Sequence, residues 1–556
     1  MRNNKYFCLV LHSHIPYVLN HGTWPHGLDW LNEAAAETYL PLLQVLKRLG
    51  REGYQPNLTI SFTPVLIEQL SKPAFKQGFI DYLTMKLEAA VNDYLYFRQV
   101  GQKEYESLAL FWRDWYEKIS RFYIDELHSD IIAAFRELQD SGSIEVITSA
   151  ATHGYFPLLS RDESIRMQVL QGKHVYTRYF GRPPAGFWLP ECAYRPGYIW
   201  TRPIGQARSY KRFGVDEILG QAGLRYFFVD AHLLKGGEAK GVYLEKFPAL
   251  KYLWEKYKAR AKSQPIRPED LYQPYLAHPS AVSFLARDQV TGQQVWSRHS
   301  GYPGDGHYLE FHKKHFPGGH RYWKITSNSS DLADKMPYDP NLALDRAEEH
   351  AGHFTWLVND ILKDREQGVI TSLYDTELFG HWWFEGPEWL YRVVKKLSSE
   401  TSAVKMIKAS EALEEIPPTT MVALPEGSWG EGGFHWIWFN DENSWIWSRI
   451  YEIEELFWNL LSERELLGRT DPRLVKLLAQ EKFLLESSDW PFLISTMTAR
   501  DYAESRASLH YERAMRLFQM VSQGAYLTQE DEYFLKLIEK EDSIFREIKL
   551  PDGNIL

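Results

Sequence analysis

The sequence of 556 residues predicts an α/β fold, in which an incomplete (β/α)7 barrel carries a helical insertion and a C-terminal all-helical domain. Seven short apolar runs of strand length occur in the first 400 residues, and helical stretches separate most of them, which indicates a parallel sheet. Polar residues follow several of these runs directly, as they do at the catalytic face of a barrel. After about residue 400 the pattern changes to helices.

Each predicted strand is a short apolar run that ends near a polar or turn residue. The runs span residues 6–11, 58–62, 144–148, 186–189, 224–229, 282–286 and 369–373. Seven runs rather than eight indicate an incomplete barrel.

The helical stretches divide the chain into four predicted parts. These are the first part of the barrel at 1–70, the helical insertion at 71–140, the second part of the barrel at 141–400, and a C-terminal helical domain at 401–556 that contributes to the active-site cleft. Further helices are predicted over 31–49, 341–367, 444–467, 472–487, 499–521 and 529–548. Residues 292–330 are predicted to form a long irregular loop, which in a compact domain is usually functional or disordered.

Composition restricts the class of partner. The chain has 63 basic and 73 acidic residues, a net charge of -10, which argues against nucleic acid and anionic membranes. Aromatic residues make up 15% of the sequence and include 20 tryptophans, whose apolar faces and polar edges suit sugars. With only Cys8 and Cys192, no disulfide framework is expected. No stretch is predicted to span a bilayer or to act as a signal peptide, so we expect a soluble, cytoplasmic protein.

Carboxylates follow two of the predicted strands. Glu191 comes after the fourth strand, and Asp375 and Glu377 come after the seventh. Cleavage of a glycosidic bond with retention needs two carboxyl groups ~5–5.5 Å apart, one as nucleophile and one as acid/base. We therefore expect Glu191 and Asp375 to face each other across a sugar. Structural roles are the alternative: Glu191 could cap a helix or pair with Arg195, and Asp375 could lie in a solvated turn.

Histidines follow the first and third predicted strands. His12 and His14 lie on one face of an extended segment, and with His153 and Asp375 they could bind Zn or Fe. Neutral imidazoles could instead bind sugar hydroxyls, because each donates and accepts a hydrogen bond. Hydroxyl binding is favoured, since a carboxylate pair needs no metal. If the histidines bind a metal, the chain would be a metal-dependent polysaccharide deacetylase. A further alternative is a glucan-binding protein that has no catalytic activity.

Four tryptophans are expected to line a glucan groove. Trp30 and Trp296 lie near strand-end loops, and Trp429 and Trp438 project from a glycine-rich segment. Residues 487–491, which interrupt the C-terminal helices, are predicted to form a helix N-cap.

The loop over residues 233–243 follows the fifth strand and Asp230, so we expect it to rise over the catalytic face. Its glycines leave the backbone poorly constrained, and its charged residues suit a solvated lid. Tyr243 combines an apolar plate with a hydroxyl, which suits closure over a sugar. A tyrosine packed under an ordinary surface loop is the structural alternative.

Five segments together resemble the ordered motifs of glycoside hydrolase family 57. They are HSHIPY at 12–17, ATHGY at 151–155, WLPEC at 188–192, YDTELFGH at 374–381 and the segment around Trp429. The long helical C-terminal region and WWFEGP at 382–387 resemble the 1,4-α-glucan branching enzymes of that family. The resemblance covers nearly the whole chain.

The resemblance implies a retaining barrel enzyme with no metal and no cofactor. Glu191 would be the nucleophile and Asp375 the acid/base, and Tyr243 would gate the site. The positions implied or expected to contact substrate are His12, His14, Trp30, His153, Tyr243, Arg287, Trp296, Gly304, His381, Trp429, Trp438 and Asp489. The expected reaction cleaves an α-1,4 linkage of a glucan and transfers the segment to a C6 hydroxyl, so that an α-1,6 branch forms through a covalent glycosyl-enzyme. The enzyme is expected to be a monomer or a small homo-oligomer, and its partner is the α-1,4-glucan polymer. The alternatives within the family are 4-α-glucanotransferase and α-amylase.

Overall fold

The computed structural model describes residues 4–237, 239, 243–260, 265–297, 299–327, 329–523 and 527–556. Within these residues the largest sheet has ten strands, and seven of them are parallel and adjacent in the order β10-β1-β2-β3-β4-β7-β9. The seven parallel strands are Lys5–Ser13 (β1), Leu58–Phe62 (β2), Ile144–Ser149 (β3), Gly186–Trp188 (β4), Tyr226–Val229 (β7), Ser283–Ala286 (β9) and Gly368–Asp375 (β10). All seven predicted strands are confirmed, as is the incomplete barrel.

The sequence did not predict the short strands. They are Ile199–Thr201 (β5), Ser209–Lys211 (β6), Tyr275–Ala277 (β8), Lys405–Met406 (β11) and Met421–Val422 (β12). β8 pairs antiparallel with β9, β12 extends the sheet beyond β8, and β11 pairs with β1. Runs of two or three residues are too short to show an alternating or apolar pattern. The sheet therefore continues past residue 400, and helices dominate from Ser444 onward.

The seven strands curl until the outer strands β9 and β10 approach each other. The backbone N–H of Asp288 donates to the carbonyl of Thr371 at 2.7 Å. Helices cover the outside of the sheet. Those between strands or beside them are Pro64–Ser71, Asp162–Phe180, Val215–Gln221, Ala231–Lys235, Tyr243–Lys246, Pro248–Tyr257, Gln289–Trp296, Pro340–Ile361, Gly386–Ser398 and Ala409–Glu415.

The first helix is one continuous element with a π-helical centre. Leu28–Ala34 and Leu40–Arg51 are α-helical, and Ala35–Tyr39 between them is a π-helix. The predicted insertion is also helical. It consists of Pro73–Gln99, Lys103–Arg121, the π-helix Phe122–Glu126, and Ile131–Asp140.

Two predicted elements differ in extent. The helix Gln289–Trp296 occupies the start of the stretch predicted as an irregular loop, whose remainder holds only short turns such as Tyr302–Gly304. The last helix ends at Glu541 rather than near residue 548, because Asp542 leaves the helix to accept hydrogen bonds from His21 and Arg513.

The C-terminal helices pack against the carboxyl end of the barrel. They are Ser444–Ser462, Arg464–Leu467, Pro472–Leu485, Asp489–Thr496, Arg500–Gln523 and Gln529–Glu541. Arg506 donates to the carbonyl of Tyr17 at 2.6 Å, and Thr152 donates to the carbonyl of Phe483 at 2.5 Å. These contacts bring Asp489–Thr496 over the ends of the strands. None of the helices in the described residues has the length and apolarity needed to cross a bilayer.

Candidate active site

A cavity of about 450 Å³ lies at the carboxyl ends of the parallel strands. Asp375 is the last residue of β10, and the parallel register places His12 of β1 beside it. Glu191 follows β4 and lines the same cavity, together with Glu377. The expectation that Glu191 and Asp375 share one site thus agrees with their positions in the fold.

Glu191 occupies a strained turn. Glu191 and Cys192 have φ angles of 59° and 47°, in the left-handed region that residues with side chains seldom adopt. The turn is held by hydrogen bonds from Cys192 N–H to the carbonyl of Leu189 and from Ala193 N–H to that of Pro190, at 2.9 and 3.0 Å. Such strain persists where surrounding contacts impose it, and it is concentrated at functional sites. No local sequence pattern indicated this conformation.

Trp429 binds Glu191 through two donors. Its indole Nε1–H donates to Glu191 Oε2 at 2.7 Å, and its backbone N–H donates to the Glu191 carbonyl at 3.2 Å. Tyr194 and Gly427 exchange backbone hydrogen bonds of 2.8 and 3.0 Å beside this contact. The glycine-rich segment therefore docks on the Glu191 turn, and Trp429, which is only 5% exposed, positions the carboxylate.

Arg287 packs against the Trp429 ring. Its guanidinium lies 5.7 Å from the centre of the Trp429 ring and forms an ion pair with Asp230. Asp230 also accepts a hydrogen bond of 2.8 Å from His232. We expect Arg287 to contact substrate; in this structure it lies against Trp429 and is not among the residues that line the cavity.

Burial raises the pKa of Glu191 to about 8, and the nearby negative charge of Asp375 adds to this effect. The hydrogen bonds from Trp429 and Tyr243 oppose it, because donors stabilise the ionised carboxylate. Tyr243 Oη lies 3.4 Å from Glu191 Oε2. The two carboxyls of Glu191 and Asp375 are close enough for their charges to interact.

Glu377 is a further buried carboxyl, two residues after Asp375. Burial and the charge of Asp375 together raise its pKa to about 8, against the opposing hydrogen bond from Tyr39. Its Oε1 accepts hydrogen bonds from the Tyr39 hydroxyl and from the backbone N–H of His14, the latter at 3.2 Å. This carboxyl is held by protein donors, which suits a role in fixing the turn after β10.

Three imidazoles stack along one wall. The ring centres of His14 and His153 are 4.0 Å apart, and those of His12 and His153 are 5.1 Å apart. His12 also stacks on Trp188 at 4.5 Å. Burial lowers the pKa of His12 and of His153 well below the usual range, so both rings are neutral near pH 7. Neutral rings can both donate to and accept from hydroxyl groups.

Ser488 is the N-cap residue of the helix Asp489–Thr496, as the sequence predicts. Ser488 makes no capping hydrogen bond to the helix that follows, and its hydroxyl instead bonds to His153 Nδ1 at 2.9 Å. Asp489 accepts a hydrogen bond of 2.9 Å from His14 Nε2. Although burial raises the pKa of Asp489, the charge and hydrogen bond of His14 lower it overall. The segment therefore positions two of the three imidazoles.

The side chains whose spacing could hold a metal ion differ from the group of residues that the sequence suggested. His14, His153 and Asp489 offer ligand atoms within 4.8 Å of one another, a donor set that suits zinc or iron. In the described residues, the groups that satisfy this spacing do not include Asp375. The ligand atoms on His14 and Asp489 are paired with each other by a hydrogen bond.

Aromatic side chains line the rest of the cavity. Trp30 and Trp296 do so as expected, and His381 lines it while its Nδ1–H donates to Glu37 Oε2 at 2.8 Å. The lining residues that sequence reasoning missed include Trp24, Phe247, Phe311, Trp382 and Phe492. Phe311 and Trp382 stack at 4.5 Å. Trp382 directly follows the segment YDTELFGH at 374–381. This adjacency is the one signal in the sequence that could have identified Trp382 as a lining residue.

Two expected substrate contacts lie elsewhere. Trp438 is fully buried, stacked on Tyr155 at 4.7 Å, so it belongs to the core and does not line the cavity. Gly304 lines a separate surface pocket with Asp305 and His350.

The predicted lid loop is partly helical. Residues 233–235 belong to the helix Ala231–Lys235, and Tyr243 begins the helix Tyr243–Lys246. Glu238, Lys240, Gly241 and Val242, which the prediction included, lie outside the described residues. Tyr243 is 6% exposed and packs edge-on against Phe492 at 5.3 Å, directly above Glu191.

Comparisons with known proteins agree with this geometry. The family model for glycosyl hydrolase family 57 matches residues 8–425, and the model for the C-terminal region of 1,4-alpha-glucan branching enzyme matches residues 449–552. A 1,4-alpha-glucan branching enzyme of Thermococcus kodakarensis is 42% identical over 549 residues, which cover 98% of this chain and 78% of that protein.

Solved structures extend the comparison. A branching enzyme from Pyrococcus horikoshii is 40% identical with a TM-score of 0.86, covering 98% of this chain and 96% of that one. The alpha-amylase AmyC from Thermotoga maritima is 29% identical with a TM-score of 0.78, covering 98% and 97%. The crystal structure of the T. kodakarensis enzyme superposes with a TM-score of 0.88 at 41% identity, covering 98% and 95%. The chain therefore belongs to glycosyl hydrolase family 57.

Proposed function

We propose that this chain is a retaining 1,4-α-glucan branching enzyme in which Glu191 is the nucleophile and Asp375 the acid/base. The observation that carries the proposal is the pair of carboxyls, Glu191 and Asp375, in one aromatic-lined cavity at the ends of β4 and β10. Retaining glycoside chemistry needs such a pair. Similarity to branching enzymes over nearly the whole chain supplies the reaction class.

In the first step a Glu191 oxygen attacks the anomeric carbon of an α-1,4-linked glucose. The bond from that carbon to the glycosidic oxygen breaks, and the Asp375 carboxyl gives its proton to the departing oxygen. Trp429 and Tyr243 both donate to Oε2 of Glu191, which leaves Oε1 as the attacking atom. The repulsion between the Glu191 and Asp375 carboxylates favours a pair with a single negative charge, which this step requires to lie on Glu191.

In the second step a C6 hydroxyl of another glucose attacks the same carbon. Asp375 accepts the hydroxyl proton, the bond to Glu191 breaks, and an α-1,6 branch is formed. His12 and His153, neutral at pH 7 and bonded to each other through their Nε2 atoms at 3.0 Å, form an uncharged polar wall of the cavity beside Glu191. Asp489 and Ser488 orient His14 and His153 in the same wall.

Transfer requires that water be kept away from the covalent intermediate. Tyr243 covers Glu191 and packs against Phe492 of the C-terminal helices, so it forms part of the cavity wall beside the Glu191 carboxyl. A cover of this kind excludes water until an acceptor chain enters. This placement favours transfer over the hydrolysis that an α-amylase performs.

The test is ¹H NMR of the products from amylose. Wild-type enzyme should produce anomeric signals of α-1,6 linkages, and Glu191→Gln, matched in size and still folded by circular dichroism, should produce none. New reducing ends without α-1,6 signals would identify an amylase instead. Activity that disappears after exhaustive chelation would favour a metal-dependent deacetylase using the His14, His153 and Asp489 set.

A further inference from the structure

A second groove lies on the outer surface of the barrel, between the helices Pro340–Ile361 and Gly386–Ser398. Its volume is about 770 Å³, larger than that of the cavity at Glu191. Trp356 stands in this groove with 58% of its surface exposed. The groove contains no residue of the proposed catalytic site.

The groove lies toward the opposite end of the barrel. Trp356 is near the end of a helix that leads into the first residue of β10, Gly368, whereas Asp375 is the last residue of that strand. Tyr54, on the groove's other side, precedes the first residue of β2. A ligand bound here therefore does not compete for the site at Glu191.

One face of the Trp356 ring is open. Gly352 lies one helical turn before Trp356, and a side chain added at Gly352 would meet nothing within 4 Å. Thr355, Asn359 and Ser402 line the same groove, where their side chains bond to one another and to the backbone. An exposed aromatic plate with polar groups at its edge suits the C–H face and hydroxyl rim of a sugar.

The charges around the groove are paired. Lys396 and Arg392 both bind Glu348, at 2.6 and 3.2 Å, and Lys395 binds Glu52 at 2.9 Å. Arg392 also binds Glu388 at 2.7 Å, so the three cations meet three carboxylates and the groove suits a neutral ligand. A protein interface would place few charged residues around its central aromatic anchor, which disfavours a second copy of the chain.

We propose that the groove at Trp356 binds a neutral α-glucan chain and holds the polymer while another segment occupies the catalytic cavity. The choice of ligand rests on the proposed function, since the substrate is then a polymer long enough to reach both sites. Stacking on the exposed Trp356 ring supplies the contact.

The test is affinity electrophoresis in gels that contain glycogen, with Glu191→Gln in every protein so that the polymer stays intact. Trp356→Ala should weaken retardation by about fivefold, as expected for loss of one aromatic contact, and Trp356→Phe should restore part of it. Tyr533→Ala, at an aromatic residue with 72% exposure on a C-terminal helix, is the matched control and should change nothing.

In the active background, Trp356→Ala should raise KM for glycogen and leave the rate on short malto-oligosaccharides unchanged. Unaltered retardation would overturn the inference, and so would a change of sedimentation coefficient without a change of glycogen binding, because the groove would then join two copies of the chain. If the wild type formed no α-1,6 linkages, the proposed function would be refuted but the inference about the groove would not. The electrophoresis would still show whether the groove at Trp356 binds glycogen.

Discussion

The hydrogen bond from Trp429 Nε1 to Glu191 allows the effect of its removal on the pKa of Glu191 to be predicted. In Trp429→Phe the ring remains between Trp188 and Arg287, and the backbone bond from residue 429 to the Glu191 carbonyl is unaffected. Only the donor 2.7 Å from Oε2 is removed. The substitution therefore changes the environment of one carboxylate oxygen.

The magnitude follows from the nature of the bond. A hydrogen bond to a buried charged group contributes about 1.5–3 kcal/mol, and one pKa unit corresponds to about 1.4 kcal/mol. The Trp429 bond lowers the pKa of Glu191, which stands at about 8, so its loss should raise that pKa by about 1–2 units. Because only ionised Glu191 attacks, the activity at pH 7 should fall about 10- to 100-fold.

The assay is the pH dependence of kcat/KM for branch formation. The rising limb should move to higher pH in Trp429→Phe, and the difference from wild type should shrink as the pH rises above the limb. Apparent pKa values describe the coupled pair of Glu191 and Asp375, so the displacement of the limb is the quantity to compare. Tyr243→Phe removes a donor at 3.4 Å from the same oxygen and should move the limb much less. Equal scaling of the Trp429→Phe profile at every pH would refute the reasoning.

Three further outcomes are expected. Asp375→Asn should be nearly inactive on glucan yet recover the first step on substrates with activated leaving groups, which need no acid; pre-steady-state rates independent of the leaving group would contradict this. Tyr243→Ala should lose α-1,6 branches while still releasing reducing ends, and an equal fall of both would exclude a gating role. Burial raises the pKa of Glu377 from 4.5 to about 8, so the folded protein holds this proton more tightly than the unfolded chain, and the free energy of unfolding falls as the pH rises between those values. Glu377→Gln should therefore gain melting temperature relative to wild type from pH 5 to pH 8.5, and a constant difference would show that Glu377 is not the group that titrates.

The parallel strands were predictable because each is buried on both faces and so appears as an apolar run. The predicted run 369–373 lies within β10, and the predicted run 58–62 coincides with β2. Polar residues after such runs gather at one end of a parallel sheet, which is why Glu191, Asp375 and His12 could be assigned to one site. The conformations of these residues could not be predicted, because the left-handed turn at Glu191 depends on contacts with Trp429 and Gly427, which are far away in the sequence.

The two tryptophans of the glycine-rich segment show a second limit. Trp429 reaches Glu191, whereas Trp438 packs in the core against Tyr155. In a helix or strand the period of the sequence determines which face a side chain occupies. The segment around Trp429 has no such period, so the sequence could place an aromatic cluster near the site without deciding which ring would reach the cavity.

The contact between the π-helix Ala35–Tyr39 and the segment after Asp375 could not be predicted from local sequence patterns. Three consecutive residues of it hold the segment after Asp375: Glu37 binds His381 Nδ1 at 2.8 Å, Thr38 accepts from the His381 N–H at 3.1 Å, and Tyr39 donates to Glu377. A regular α-helix turns adjacent side chains about 100° apart, and the extra residue per turn of a π-helix alters these directions. Gly380 has a φ of 117° and lies so close to the Glu37 carbonyl that a side chain could not be accommodated. The position of Asp375 thus depends on a helix more than 300 residues earlier in the sequence, and neither segment contains a signal for the other.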